Sequence, residues 1–324
     1  NLMTFIAEDV RDYLARLGYT ALEEIIGRTE LLHQVSHGAS NLDDLDLNPL
    51  LVQADPMSRR MTCALGEARN EVPDTLDAEI LEDLSLTLPL CEPLSLPEGR
   101  GQRTPDPVRG SDEGRSVSKV GEGHILSYTV RNTHRAIGTR LSSFITRENG
   151  QNVLPDGHIT LRLTGSAGQS LGAFLCKGLR VEVYGDANDY VGKGLSGGTI
   201  IVRPAEDSPL NSHENTIIGN TVLYGATSGK LFAAGQAGER FAVRNSGAQV
   251  VVEGCGSNGC EYMTGGIAVI LGEAGPNFAA GMTGGMAYVY DPDDKMLVNI
   301  NPDSVVFDRV AAPHYEEQLK SLIR

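Results

Sequence analysis

The sequence predicts a mainly β fold: a parallel β-helix, a solenoid of about seven glycine-punctuated repeats, preceded by a small helical region. Of the 38 glycines, 26 lie within residues 151–290. In that region a glycine followed by a short β-rich run recurs at intervals of 19 to 28 residues. One strand per period of about 20 residues is typical of a solenoid, in which each repeat packs only on its neighbours.

The repeats start at seven glycines, each followed by a short β-rich run. The glycines are Gly157, Gly178, Gly198, Gly219, Gly247, Gly266 and Gly285. The runs are 159–163, 181–184, 199–202, 222–224, 250–252, 267–271 and 287–290. Glycine suits corners where φ is positive or where side chains of neighbouring repeats would collide. Leucine-rich repeats have a similar period, but the sequence lacks their leucine and asparagine ladder. The one interval of 28 residues predicts an outward loop or an extra turn of chain.

Residues 1–91 are predicted to form a helical linker segment. Five apolar residues share one face of a first helix, which ends before Gly18. They are Ile6, Val10, Tyr13, Leu14 and Leu17. Thr20 and Glu23 have the spacing of a capping box, which predicts a second short helix. A third short helix is expected at residues 77–84.

Residues 92–120 are predicted to be a flexible loop, because prolines and glycines alternate there with charged residues and serines. The predicted β-helix domain spans residues 121–304. It opens with a strand at 125–130 and a helix at 135–146, for which Thr133 is the expected N-cap.

Residues 305–324 are predicted to be a C-terminal tail that is helical and truncated. Leu319, Leu322 and Ile323 indicate a helix, and no stop signal precedes Arg324. We therefore expect the natural polypeptide to continue. Because a solenoid exposes unpaired strand edges at both ends, we expect the helix at 135–146 and the tail to cover them.

Composition restricts the classes of function. The formal net charge is −15, and residues 1–120 hold 22 acidic against 11 basic side chains, a net charge of −11. Nucleic acids and anionic membranes require a basic face, so neither is an expected partner. No apolar run reaches the length needed to span a bilayer. The five cysteines are irregularly spaced, which favours a reducing cytoplasm over a disulfide framework.

Residues 192–197, Gly-Lys-Gly-Leu-Ser-Gly, match the glycine pattern of dinucleotide sites. Such a site needs a strand before the glycines and a helix after them. Here the glycines lead into a β-rich run, and Lys193 is followed by Gly194 rather than Ser or Thr, so the phosphate-loop pattern also fails. A corner of the repeat is the favoured interpretation.

Other candidate groups have stronger structural explanations. Cys255 and Cys260 lack a nearby histidine and the close cysteine pairs of zinc sites. Asp186 and Asp189 could form a carboxylate pair, but such residues commonly bond backbone amides in turns. His33 and His37 are four residues apart without the motif of a metalloprotease. The prediction is therefore no catalytic, no cofactor-binding and no metal-ligating residue in this chain.

Several long strings resemble the glutamate synthase large subunit. They are 132–139 (NTHRAIGT), 165–170 (GSAGQS), 185–194 (GDANDYVGKG), 237–241 (AGERF), 243–248 (VRNSGA), 259–266 (GCEYMTGG) and 277–282 (NFAAGM). The helical segment is also similar, at 5–8 and 27–29. The likeness spans nearly the whole chain except the 92–120 loop. At 256–259 the sequence has Gly-Ser-Asn-Gly where the family is expected to have an Asp-His pair.

The resemblance implies a parent enzyme that converts L-glutamine, 2-oxoglutarate and reductant into two L-glutamate. In the family, a glutaminase domain and an FMN synthase barrel with a 3Fe–4S cluster lie upstream, so no cofactor is expected here. The C-terminal region of the family is a right-handed parallel β-helix with a structural role. Implied partners are the remaining domains of the large subunit and, for an NAD(P)H-dependent parent, an FAD-bearing small subunit. The implied location is the cytoplasm, or a plastid for a plant-type parent.

Two other classes of function remain open at this point. A stand-alone assembly or binding subunit is one, because related glycine-repeat β-helices occur in formylmethanofuran dehydrogenase. Residues 1–90 discriminate, since such a subunit has no reason to begin with this helical segment. A polysaccharide lyase is the other. That chemistry usually needs calcium-binding acids and basic residues in a groove, and the repeat region offers no such cluster.

Overall fold

A computed structural model describes residues 2–36, 38, 44–52, 75–87, 116–120, 123–149 and 154–323. The chain forms two compact units, Asn1–Pro73 and Asp74–Arg324. Within the described ranges, every helix is too short or too polar to cross a lipid bilayer.

The first unit contains α1 (Leu2–Leu17) and three short 3₁₀ helices, Leu22–Glu24, Thr29–Leu31 and Asn48–Leu51. The predicted first helix is confirmed, and Gly18 follows it with φ +83°. Of its predicted apolar face, Leu14 is buried and the other four side chains are exposed.

The capping box at Thr20 is wrong. Its hydroxyl donates to the Glu24 carboxylate at 2.6 Å, so the backbone N–H groups lose their cap and only a 3₁₀ turn forms.

The second unit is built on one sheet of eleven strands. The strands are β1 Ser116–Val120, β2 Gly123–Val130, β3 Ile159–Ala167, β4 Leu179–Ala187, β5 Ser196–Arg203, β6 Thr216–Ile218, β7 Ser228–Ala233, β8 Gln236–Ala237, β9 Ser246–Val252, β10 Thr264–Ile270 and β11 Gly284–Val289. Their order is β1-β2-β3-β4-β5-β7-β9-β10-β11, and β6 joins β4 to β8 beside this path. β1 is antiparallel to β2, and the other pairs are parallel.

Three α-helices accompany the sheet: α2 (Leu76–Thr87), α3 (Thr139–Asn149) and α4 (Pro313–Ile323). The predicted helix at 77–84, the strand at 125–130 and the helix in the tail are confirmed. The helix expected at 135–146 starts later, at Thr139. Its buried residues Leu141 and Ile145 belong to the main core, as does Ile137 just before the helix.

The predicted fold class, a mainly β right-handed parallel β-helix, is wrong. The structure is α/β: ten parallel strands, β2 to β11, belong to one sheet, and α3 lies between the neighbouring strands β2 and β3. A solenoid of the predicted kind would distribute the strands of each turn over separate sheets. The glycine period reports only the spacing of strands along the chain, and a parallel sheet with short crossovers has the same spacing.

The strand assignment needs two further corrections. The run 222–224 is not a strand, and the missed strand β7 begins at Ser228, nine residues after Gly219, the glycine that was expected to start this repeat. The long interval therefore lies between β5 and β7, where it holds β6 and a 3₁₀ turn at Ser212–Glu214. Strand β1 lies inside the range predicted as a loop, and residues 92–115 of that range are outside the described part of the chain.

The core follows from the register of the parallel strands. Ile159 pairs with Leu179, and β3 and β4 keep the same register over their whole length. One column of inward side chains crosses the sheet through Leu126, Leu161, Val181, Ile200, Leu231, Val250, Ala268 and Ala287. Each Val, Leu or Ile side chain of this column stabilises the fold by about 1.5–3 kcal/mol when it is buried.

Six five-residue segments, here named the corner segments, connect the ends of strands to the strands that follow. They are 170–174, 190–194, 221–225, 240–244, 258–262 and 277–281. In all six, the first, third and fifth residues have positive φ, between 53° and 65°. Most of these residues are not glycine, although the left-handed region is unfavourable for side chains by about 1–2 kcal/mol per residue.

Backbone hydrogen bonds explain why the corner segments keep this conformation. In the first five segments, the first N–H donates to the residue just before the next segment, as Ser170 does to Asp189 O (2.9 Å). The fifth N–H donates to the fourth residue of the next segment, as Phe174 does to Lys193 O (2.8 Å). In the last five segments, the third N–H donates to the second residue of the preceding segment, as Gly192 does to Leu171 O (2.8 Å). Positive φ at every other residue thus directs the first and fifth N–H groups to one side of the segment and the third to the other side. Neighbouring segments therefore stack through backbone hydrogen bonds.

Asp77 on α2 caps the N-terminus of α3. Its carboxylate is 2% exposed and accepts N–H bonds from Gly138 (2.7 Å), Arg140 (2.7 Å) and Leu141 (3.1 Å). Burial raises the pKa of this carboxyl, although the hydrogen bonds from the three N–H donors act to lower that pKa. The predicted N-cap, Thr133, is wrong, because the orphan N–H groups of a helix start can be satisfied from a different helix.

Gly266, at the start of β10, shows how closely neighbouring strands approach. Its φ is +82°, and a Cβ there would lie 2.3 Å from Ala248 O and 2.8 Å from Asn245 Nδ2. Asn245 is fully buried and accepts the Ala248 N–H at 2.9 Å. A side chain at 266 would therefore disturb a buried hydrogen-bonded turn as well as the backbone.

We predict that Gly266→Ala destabilises the unit by about 2–4 kcal/mol, through left-handed strain and collision with Ala248. The control is Gly225→Ala, at φ +65° with nothing within 4 Å of the new Cβ. It should lose only about 1 kcal/mol. Denaturant unfolding of the two variants measures the difference, and equal losses would contradict the close-approach argument.

We predict that Asp77→Ala lowers the free energy of unfolding by about 2–3 kcal/mol, because three N–H groups at the start of α3 lose their acceptor. Asp77→Asn keeps one acceptor oxygen and should lose about 1 kcal/mol. Glu82→Ala, on the exposed face of the same helix, should stay within about 0.5 kcal/mol of the parent chain. A loss at Glu82 as large as at Asp77 would point to helix propensity instead of the cap.

Candidate functional site

A shallow pocket opens where the ends of β3 and β4 meet β6. Its volume is about 320 Å³, at the lower limit for small-molecule sites. The lining is Asn132, Ser166, Ala167, Asp186, Ala187, Asn188, Thr216, Ile217, Ile218 and Gly219. The pocket is open to solvent and contains one carboxylate, two amides and two hydroxyl groups among short apolar side chains.

The polar groups of the pocket do not form a nucleophile with its base. Ser166 Oγ donates to Asp186 Oδ2 at 3.0 Å. Asp186 is exposed, and no histidine lines the pocket to serve as the base for a hydroxyl nucleophile. Asp189 makes a different contact: its Oδ1 accepts the Asn220 N–H at 2.7 Å. The interpretation that these aspartates bond turns is confirmed for Asp189, whereas Asp186 bonds a side chain.

The glycine motif at 192–197 is a corner segment that leads into β5. The N–H groups of Gly192, Lys193 and Gly194 donate to Leu171 O (2.8 Å), Tyr190 O (3.1 Å) and Tyr224 O (2.9 Å). A phosphate site needs such N–H groups free and pointing at the ligand. The sequence interpretation of this motif as a structural corner is therefore confirmed.

The cysteines of the described part are buried thiols. Cys176, Cys255 and Cys260 are free. Burial raises the pKa of Cys255 to about 12 and holds that of Cys260 well above the ordinary thiol value. Metal ligation and nucleophilic attack both require the thiolate, so this environment opposes both. Cys63 and Cys91 lie outside the described residues.

Of the histidine pair, His33 is exposed and His37 falls outside the described residues. Among the residues with described positions, no group of three or more His, Cys, Asp or Glu side chains could hold a metal ion.

The described residues do not fit the two cofactors of the implied parent enzyme. An iron–sulfur cluster is held by cysteine thiolates, whereas the three described cysteines have raised pKa values or sit fully buried. The phosphate of a flavin nucleotide would need free N–H groups, and those of the glycine motif are bonded within the chain.

Two features with chemical consequences escaped the sequence analysis. Asp77 is at the start of α2 and looks like a favourable residue for its own helix, so nothing in the sequence shows that it caps α3. The exposed residues Phe174, Tyr190 and Tyr262 have a left-handed backbone conformation. No sequence signal predicts this conformation at these residues, because none of them is glycine.

Comparison with known families and proteins identifies what the chain is similar to. A family model described as "GXGXG motif" matches residues 113–324. The chain is 62% identical over 323 residues to the "Glutamate synthase [NADPH] large chain" of Azospirillum brasilense. It is 43% identical over 324 residues to "Ferredoxin-dependent glutamate synthase 2" of Synechocystis sp. and 41% identical over 328 to "Glutamate synthase [NADH]" of Schizosaccharomyces pombe.

Each of these matches covers the whole of this chain but only a small part of the relative. The covered share is 19% of the Azospirillum protein, 19% of the Synechocystis protein and 14% of the Schizosaccharomyces protein. The chain thus spans about a fifth or less of the length of the relatives it matches.

We predict that Cys255 and Cys260 react with iodoacetamide at pH 8 at least about a hundredfold more slowly in the native chain than in the unfolded chain. The reason is that their raised pKa values leave almost no thiolate, and burial blocks access. Peptide mapping of the alkylated chain measures each site, with the same chain in denaturant as the control. Rapid alkylation of native Cys255 would contradict the assignment as inert core thiols.

Proposed function

Since the chain belongs to the GXGXG motif family, we propose that it is a non-catalytic structural segment of a glutamate synthase large chain. The parent enzyme converts L-glutamine, 2-oxoglutarate and reductant into two L-glutamate. This segment holds the glutaminase and synthase parts in the geometry that they need, and its own residues take no part in the chemistry.

One observation carries the structural role. The candidate groups that the sequence or the structure singles out are already hydrogen-bonded within the fold. The amides of the glycine motif bond within and between corner segments, Asp77 accepts N–H groups at the start of α3, and Asp189 accepts the Asn220 N–H. Burial raises the pKa of the described cysteines. Because these groups are engaged in the fold, the segment suits a structural role better than a catalytic one.

The alternative of a stand-alone assembly subunit is less favoured. Residues 1–90 were the discriminating region, and glutamate synthases match the chain over its whole length, including that region. For a polysaccharide lyase, the described region lacks a cluster of acidic ligands for calcium.

The cofactors and partners of the parent follow from the same proposal. FMN and the 3Fe–4S cluster belong to other parts of the large chain, and an FAD-bearing small subunit joins an NAD(P)H-dependent parent. Free thiols among the described cysteines support a reducing compartment, the cytoplasm or the plastid of a plant-type parent.

We predict that Gly266→Ala in the full-length large chain lowers its melting temperature and raises the glutamine hydrolysed per 2-oxoglutarate consumed. The cause is strain in the structural segment, which loosens the coupling of the two half-reactions. Reduction of FMN in the enzyme that remains folded should be unchanged. Amino-acid analysis of the reaction, alongside thermal unfolding, provides both readouts.

The matched control is Gly225→Ala, which has the same left-handed strain without the collision. It should shift the melting temperature less and leave the coupling near that of the parent. If Gly266→Ala left stability unchanged but abolished one half-reaction, position 266 would belong to an active site, and the structural role would be overturned.

A further inference from the structure

The corner segment 258–262 begins with the pair Asn258–Gly259, a combination of residues that is chemically reactive in proteins. The backbone nitrogen of a glycine is unhindered, so it can attack the side-chain amide of an asparagine that precedes it. The sequence contains one other Asn-Gly pair, at 149–150, and Gly150 lies outside the described residues. Asn258–Gly259 is therefore the pair for which the structure shows what promotes or blocks the reaction.

Two separate constraints of the fold place asparagine and glycine next to each other here. The first residue of every corner segment has positive φ, and at Asn258 this angle is 61°. Asparagine tolerates the left-handed conformation better than most residues. At the second position, a Cβ on Gly259 would lie 2.9 Å from Cys255 Sγ and 2.9 Å from Phe278 Cδ2. A larger residue at 259 would have to displace both neighbours, so the packing favours glycine.

The next corner segment provides a comparison within the same chain. It also begins with an asparagine, Asn277, at φ 58°, but the residue that follows is Phe278. The Phe278 N–H donates to Asn299 O at 2.9 Å, and its Cβ hinders attack by its own nitrogen. Among the described residues, no acceptor lies within hydrogen-bond distance of the Gly259 N–H. The two asparagines thus share a conformation and differ in the reactivity of the nitrogen that follows.

In the stacked corner segment, the backbone conformation blocks the reaction. Attack requires Gly259 N to lie on the same side of the Cα–C bond as the Asn258 Cβ. A left-handed residue has ψ of about +47°, which turns the following nitrogen to the opposite side. Three backbone hydrogen bonds hold this arrangement: Asn258 N–H to Pro276 O (2.8 Å), Cys260 N–H to Phe241 O (2.7 Å) and Ala279 N–H to Gly259 O (2.8 Å). The corner segment must therefore open before the nitrogen can reach the side chain.

We propose that Asn258 is a modification site, which converts spontaneously to aspartate and isoaspartate when its corner segment opens. Gly259 N attacks Asn258 Cγ and forms a five-membered succinimide ring. The proton of the Gly259 N–H leaves with the side-chain nitrogen as ammonia. Water then opens the ring at either carbonyl, and opening at the backbone carbonyl gives isoaspartate. Water, which reaches the half-buried Asn258, is the only co-reactant, and no group is oxidised or reduced.

Isoaspartate adds one carbon atom to the backbone between residues 258 and 259. The extra atom displaces the N–H groups that follow it along the chain. Cys260 N–H then loses its alignment with Phe241 O, and Tyr262 N–H loses its alignment with Ala280 O. A corner segment that has opened and converted therefore cannot stack again as before, and the conversion makes a transient opening permanent.

The test incubates the full-length large chain at pH 8 and measures isoaspartate at each asparagine by peptide mapping. The native enzyme is compared with the same chain in denaturant. We expect Asn258 to convert at least about tenfold faster in denaturant, because the native rate is limited by the fraction of open corner segment. In denaturant, Asn277 should convert more slowly than Asn258, since Phe278 replaces glycine as the following residue.

Gly266→Ala tests the role of opening under native conditions. It disturbs the turn at Asn245, whose carbonyl accepts the Thr264 N–H just beyond this corner segment. Conversion at Asn258 should rise at least about threefold in this variant. The matched control is Gly225→Ala, which has left-handed strain without a collision and should raise the conversion less.

The outcomes separate the site from its control by the fold. No isoaspartate at Asn258 in denaturant, or conversion at Asn277 as fast as at Asn258, would overturn the modification site. Equal rates at Asn258 in native enzyme and in denaturant would overturn the protection by the stacked corner segment, as would equal rates in the two glycine variants. In converted chains, hydrogen exchange should show lost protection of the Cys260 amide, and retained protection would overturn the predicted loss of stacking.

Discussion

Stacking of the corner segments is the constraint on which the rest of the second unit depends. Their N–H groups alternate between the preceding and the following segment, and this alternation requires positive φ at every other residue. Non-glycine residues occupy many of these positions although the conformation is unfavourable for them. The bonds between segments offset that strain only if neighbouring strands keep their register, so corner and sheet stabilise each other.

Close approach of neighbouring strands explains much of the composition. At Gly266 a Cβ would meet a carbonyl oxygen of the preceding strand, and at Gly185 it would lie 2.0 Å from Gly165 O. With so little space between strands, the core is built from aliphatic side chains in registered columns and few aromatic rings. At the β2 side of the sheet, α2 is held by polar contacts: Asp77 caps α3, and Asp83 accepts the Tyr128 hydroxyl at 2.6 Å.

The engagement of polar groups in hydrogen bonds within the chain also bears on function. A motif that resembles a phosphate site has its amides bonded to neighbouring segments, and the aspartate at 189 serves a backbone N–H. Exposed aromatic rings with adjacent cations remain at the surface. Such a surface suits a segment whose contribution to a larger enzyme is to bind and position other parts of it.

Sequence by itself determined the location of most strands, the first and last helices, the acidic charge distribution and the family. These follow from local apolar periodicity, glycine spacing and long matching strings, all of which are properties of neighbouring residues. It also identified the motif at 192–197 as a corner, since no helix signal follows it.

Only the tertiary structure decided the fold class, the position of the long interval, the cap of α3 and the exposed rings. A period near 20 does not say whether strands share one sheet, and β7 was missed because its glycine falls outside that period. Asp77 contacts a helix more than sixty residues away, so its role is not local. Left-handed conformation at Phe174 or Tyr262 arises from bonds to other segments, and no local propensity for it exists in those residues.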